Sequence, residues 1–226
     1  MTPPGECAIV IAMTDGIAWL AEPESIAYGG YSVTMARDLE SESLARRIAE
    51  TAHRRSRPRS IGELTGRQVQ DLLEGLFGHV SEGLALRHGE IGEWAYVIKY
   101  GGWQAEFGDG GRPVDRGCLH VFHLEFQEEN FKPVPPRFAY RHDERLMCAF
   151  NLHLDASWGY GNVEGDPEVA PAVEELLAAA GLPDPDLDRR IVHRTALEVL
   201  QRHFDLSLPR TRILEDTLPT VLLTDR

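Results

Sequence analysis

The chain has 226 residues, 23 Lys and Arg against 36 Asp and Glu, and a net charge of −13. That length allows one sizeable hydrophobic core, and that charge disfavours general attraction to nucleic acid or to an anionic membrane while suiting a basic protein surface. Cys7, Cys118 and Cys148 are odd in number and widely spaced, so they form no disulfide framework, and the apolar run Cys7 to Met13 is too short to span a bilayer. With no Lys or Arg in residues 1–6 to begin a signal peptide, the expected address is the cytoplasm.

Residues 1–15 read as an extension ahead of a helical turn at Gly16 to Ala21, in which Trp19 and Leu20 pack on the core. Tyr31 to Arg37 is β-branched and aromatic and predicts a strand. Asp38, Glu40 and Glu42 then supply an N-cap and an acidic first turn for a helix. Its apolar face is Leu44, Ala45, Ile48, Ala49 and Ala52. Residues 53–63 form an Arg-rich loop around Pro58. Thr65 and Gln68 make a capping box for a second helix with Val69, Leu72, Leu73, Leu76 and Phe77 as its stripe.

From residue 94 the hydrophobic period becomes two. Trp94 to Tyr100 and Trp103 to Phe107 flank a Gly101-Gly102 turn, Cys118 to Gln127 is a further strand, and Phe138 to Arg141 and Arg145 to Asp155 turn at Asp143-Glu144. The centre of the chain therefore reads as an antiparallel meander of about five strands. Two helices follow, one opened by Asp166-Pro167 and stopped by Gly181, the other from Asp186 to His203 with Val192, Ala196, Val199 and Leu200 inward. Pro219 to Leu223 could add an edge strand. The expected fold class is a single α+β domain over 1–226, with helices from both chain ends packed on one face of the sheet.

The run YSVTMARDLESESLARRIA, the Trp94 strand with its GGW, the 138–150 hairpin and LDASWGYGNVEGDPEV together resemble an uncharacterised, mainly actinobacterial family, domain of unknown function 6461. The shared elements correspond to Arg37-Asp38-Leu39, Phe150 to Leu154, Trp158-Gly159 and Asp166-Pro167, and the closing ALEVLQRHFDLSLPRTRILEDTLPTVLL is similar too. The resemblance spans about residues 17–223 and departs from the family at 53–63 and in the lengthened Trp158–Asp166 loop. It implies a fold and brings no activity, ligand or catalytic residue.

Three constellations could carry chemistry. Strand alternation puts His123 and Glu125 on one face, and Asn151, His153 and Asp155 on one face of a later strand. If those strands neighbour each other, the five converge on a polar face able to ligate a metal or move protons, with His123, His153 and Asp155 as candidate catalytic residues. The solvent face of a half-covered sheet shows the same pattern. Arg46, Arg47, Arg54, Arg55, Arg57, Arg59 and Arg67 lie within 22 residues, opposed only by Glu50 and Glu63. Of these, Arg54, Arg55, Arg57 and Arg59 are candidate contacts to an anion, a nucleic acid or a partner. No aromatic interleaves them, which removes the stacking platform of single-strand binders. The glycine-containing loop Trp158-Gly159-Tyr160-Gly161 invites a phosphate-binding reading, but acidic residues surround it and no Lys or Arg lies between Asp155 and Asp184, which leaves Trp158 as a further ligand- or partner-binding candidate.

No GxSxG, Walker A, HExxH or CxxC motif is present, and no cofactor or metal is implied. Only Lys99 and Lys132 are lysines, which leaves two candidates for any lysine chemistry. The resulting expectation is a non-catalytic cytosolic interaction module of immunity, adaptor or sensor type, binding a protein partner. The alternatives are an enzyme or small-ligand or metal binder on the polar strand face, and anion or nucleic-acid binding through the arginines.

Overall fold

A computed structural model describes residues 15–23, 25–27, 29–52, 57–78, 83–101, 114–117, 119–127, 134–155 and 162–224. A 3-10 turn at Ala18–Ala21 opens the described chain. It is followed by β1 (Gly30–Arg37), α1 (Ser41–Ala52), β2 (Arg57–Leu64), α2 (Gly66–Phe77), β3 (Leu84–Ile91), β4 (Trp94–Gly101), β5 (His120–Gln127), β6 (Val134–His142), β7 (Arg145–Asn151), β8 (Glu164–Gly165), α3 (Val169–Ala179), α4 (Arg189–Phe204), α5 (Arg210–Leu214) and β9 (Leu218–Thr224). The strands form one nine-stranded sheet in the order β2-β9-β3-β4-β1-β5-β6-β7-β8. Every pairing is antiparallel. The protein is thus a mixed α/β fold, with more strands than the five read from the sequence.

The alternation of β1 explains how the sheet is covered. Tyr31, Val33 and Met35 point to one face, where they meet Tyr96, Ile98, Phe122, Leu124, Phe138 and Phe150. The 3-10 turn, α2, α3, α4 and α5 roof this first face through Trp19, Leu20, Val69, Leu73, Val173, Val192, Ala196, Leu200 and Ile213. Phe204 closes the roof against Phe122 at 5.1 Å and Tyr140 at 5.2 Å between ring centroids. The second face is covered separately, by Leu44, Ala45, Ile48 and Ala49 of α1 on Ala36, Leu84, Leu86, Ala95 and Val97. Helices therefore pack on both faces and not on one. The amphipathic stripe of α1 was legible, but a stripe does not say which side of a sheet it will meet.

Several local readings differ in position. Asp38 does not cap α1. It takes a left-handed φ of 58°, and the helix starts at Ser41, whose N–H donates to Glu90 Oε1 at 2.9 Å. Residues 57–63, read as a loop, lie in β2, which pairs with β9 along its length except for a bulge between Ser60 and Gly62. Strand β9 is accordingly interior, between β2 and β3. The Thr65/Gln68 capping box is present. The turn between β6 and β7 has positive φ at Asp143 (48°) and Glu144 (65°), as a tight hairpin turn requires. The extension at 1–14 and the strand read at 103–107 lie outside the described residues.

One side chain joins four of these elements. Arg87 on β3 is fully buried. It donates to Leu64 O (3.0 Å), Tyr100 Oη (2.8 Å), Ile213 O (2.9 Å) and Asp216 O (2.7 Å). Gly66 makes room for it, since a Cβ there would meet Tyr100 Oη at 2.7 Å and Arg87 Nη1 at 3.1 Å. The planar guanidinium satisfies carbonyls at the end of β2, in α5 and ahead of β9 at once. Arg87→Leu strands those buried acceptors and is expected to lose about 3–5 kcal/mol in urea unfolding. A loss below about 1 kcal/mol would show that the carbonyls find other donors.

Candidate functional site

The second face changes character along β1. Near Ala36 it is apolar and lies under α1. Toward the N-terminal half of β1 it becomes polar, because alternation brings Ser32 and Thr34 to this side. Register then fixes their neighbours: Ser32 pairs with Glu125 and Thr34 with His123 on β5, while Glu125 pairs with Arg137 on β6. On the other flank, Val33 pairs with Ile98, which sets Lys99 beside Ser32.

These groups meet. Lys99 Nζ lies 3.8 Å from Glu125 Oε1, and His123 Nε2 lies 3.7 Å from Glu125 Oε2. His123 Nδ1 is 3.1 Å from Thr34 Oγ1. The Lys99 and Glu125 side chains are only 7% and 15% exposed. Burial lowers the Lys99 pKa from its ordinary value, against the pull of Glu125. Burial alone would raise Glu125, but the His123 ring, the Lys99 ammonium and the Arg137 guanidinium outweigh it and leave the carboxyl below its ordinary value. The result is a buried group of two cationic side chains, one carboxylate, an imidazole and a hydroxyl, in one row-and-a-half of sheet. It can hold an anion or pass a proton.

The sequence reading joined five residues here, and the structure divides them. His123 and Glu125 belong to this group. Strand β7 ends at Asn151, and Leu154 takes a φ of 53°, so the alternation that carried His153 and Asp155 onto the same face stops short of them. Asn151 stays in the row, opposite Arg137 and two strands from Glu125, and its Nδ2 donates to Asp155 Oδ1 at 3.0 Å, while Asp155 pairs with Arg189 at the start of α4 at 2.7 Å. The His153 ring packs against Phe126 and His193. His193, buried on α4, shares a 2.6 Å hydrogen bond with Tyr31 Oη. Sequence reasoning did not place Thr34, Arg137 or Lys99 in this group, although Lys99 stood out by scarcity as one of two lysines in a chain rich in arginine.

The arginines do not form one loop. Arg46 and Arg47 lie on α1, where Arg47 donates to Val114 O and Arg116 O. Arg57 and Arg59 lie in β2, and exposed Arg67 opens α2. Arg54, Arg55, Trp158, Cys7 and Cys118 lie outside the described residues. Cys148 is buried in the core, and burial pushes its thiol up to about 12, so it is unreactive. Among the described residues no group of three or more His, Cys, Asp or Glu is placed to hold a metal, and no helix is long and apolar enough to cross a membrane. At the C-terminal end of β1 a cleft of about 530 Å³ is lined by Asp38, Glu40, Glu90 and Glu93, with Arg37 and His120 among its walls.

No family model, curated protein or solved structure matches the chain.

Burial, aided by the neighbouring His153, drives the His193 pKa from 6.5 down to about 3. The folded protein thus refuses a proton that the unfolded chain accepts below its ordinary value of 6.5, and stability is lost as pH falls from there toward about 3. Acidifying from about pH 6.5 to about pH 5 should remove roughly 2 kcal/mol through this group, at roughly 1.4 kcal/mol per unit. Urea unfolding of His193→Gln across that range should show a slope reduced by about one proton. An unchanged slope would assign the acid sensitivity to other groups.

Proposed function

We propose that the protein is a cytosolic small-ligand binder whose site is the polar half of the second sheet face, and whose ligand carries an anionic group. The observation that supports this most is the buried Lys99–Glu125–His123 group. A buried ion pair is a poor stabiliser, because desolvating both charges offsets most of their attraction. Burying charge at the middle of a sheet whose neighbouring positions are Val97 and Ala139 therefore needs a reason other than stability. Lys99 and Arg137 both act on Glu125, which sets two cationic side chains at one place in a chain of −13. Membership in the family that residues 17–223 resemble is part of the same proposal and adds no ligand to it.

The test is a thermal-shift series with small carboxylates and phosphates. A ligand at about 100 times its Kd stabilises by about 2.7 kcal/mol, which for this size of domain raises Tm by roughly 5–10 °C. The control is the double variant Lys99→Met/Glu125→Leu, since removing one member alone would leave the other charge buried and destabilise the fold. A shift in the wild type that the double variant lacks supports the reading. No shift with any anion, or equal shifts in both proteins, rejects it.

A second reading, a non-catalytic module for a basic protein partner, is favoured by the cleft whose rim carries Asp38, Glu40, Glu90 and Glu93. Calorimetric titration with an arginine-rich peptide should show binding that weakens as ionic strength rises and that Glu40→Gln/Glu93→Gln reduces. Salt-independent binding, or none, would remove this reading.

A further inference from the structure

We infer that Lys99 is a carbonyl-capturing amine and that the ligand of the polar face is a small oxo acid, whose carboxylate is held by Arg137 while its carbonyl carbon meets Lys99 Nζ. This rests on the binding reading above and goes one step beyond it.

The choice of residue carries the argument. All but two of the 23 basic side chains in this protein are arginine. An arginine would meet Glu125 with a planar, bidentate fork, and for a purely structural ion pair it is the better partner. The one property a lysine offers here that an arginine lacks is an amine that can give up its proton and attack carbon. The surroundings suit that use. Lys99 is 7% exposed, Glu125 is 15% exposed and Arg137 is half-buried. Glu125 reaches Lys99 with one oxygen at 3.8 Å and His123 with the other at 3.7 Å, and Thr34 Oγ1 lies 3.1 Å from the far side of that ring. A proton leaving Lys99 therefore has a carboxylate beside it and an imidazole behind.

The chemistry balances without an outside reagent. Glu125 takes one proton from the Lys99 ammonium. The free amine attacks the carbonyl carbon, a C–N bond forms, and the carbonyl π pair moves onto oxygen. A proton shifts from nitrogen to that oxygen, giving a carbinolamine. Glu125 returns its proton to the hydroxyl, the C–O bond breaks, and water leaves as the nitrogen lone pair forms the C=N bond. The net change is ammonium plus carbonyl to protonated imine plus water, with Glu125 ionised again.

The chain tests this on itself, because its only other lysine, Lys132, is an internal reference. The folded protein is treated with glyoxylate and cyanoborohydride, which reduces any imine to a stable secondary amine, and both lysines are followed by peptide mass spectrometry. Lys99 should be alkylated faster than Lys132 at neutral pH, because burial lowers its pKa and so raises its free-amine fraction. The two rates should converge in urea, and Lys99→Arg should remove the fast adduct. Lys99 reacting no faster than Lys132 overturns the inference. Oxalate, an anion without the aldehyde, separates the two readings: if it raises Tm while Lys99 stays unmodified by glyoxylate, carbonyl capture fails and anion binding stands. If neither occurs, both fall.

Discussion

An antiparallel sheet with helices on both faces leaves few of its polar side chains much water, and that constraint shapes the polar half of the second face. With α1 on the second face, Ala36, Ala95 and Val97 are sealed, and farther along the same face His123 is 6% exposed. Each polar group there must then be answered by a neighbour in the sheet. Thr34 answers His123, His123 and Lys99 answer Glu125, and the register between β4, β1 and β5 makes each answer possible.

The first face solves a different problem. Its core is large and aromatic, and although Trp19 Nε1 and Tyr96 Oη are buried there without a hydrogen-bond partner, two polar clusters in it are internally matched. Arg87 takes three carbonyls and a phenol, while Tyr31 and His193 take each other. Burial lifts the Tyr31 hydroxyl well above its ordinary pKa and pushes His193 down, so the pair stays neutral through the physiological range. Neutral partners can be buried without the desolvation penalty of ions. The Lys99–Glu125 pair lies on the other face, while Arg87 is the buried cation of this one and is answered by neutral acceptors.

The elements that local chemistry determines were legible in the sequence. The α2 capping box, the 143–144 turn and the strand character of β1, β4 and β5 follow from neighbours within a few residues. What was not legible depends on distant pairing. Strand β3 carries Arg87, His88 and Gly89 in its middle and has no clean alternation, because it is interior and its polar residues are satisfied by β4, α1 and α5. Strand β2, with Pro58 and Gly62, reads as a loop. It is an outer strand, where a missing N–H and a bulge are tolerated. The candidate site divides in the same way: alternation placed His123 with Glu125, but Lys99 joined them only through the pairing of β1 with both β4 and β5.

That division bears on how the charged group should be understood. A lysine and a glutamate placed on different strands, on either side of β1, come together only if the whole sheet assembles in one register, so the group is a product of the completed fold. Folding gains little from it, since apolar residues of similar volume at both positions would pack against Val97 and Ala139 without any ion to desolvate. A buried charge that folding does not require, built from the scarcest basic residue in the chain and flanked by a proton acceptor, is physically consistent with chemistry done at that spot.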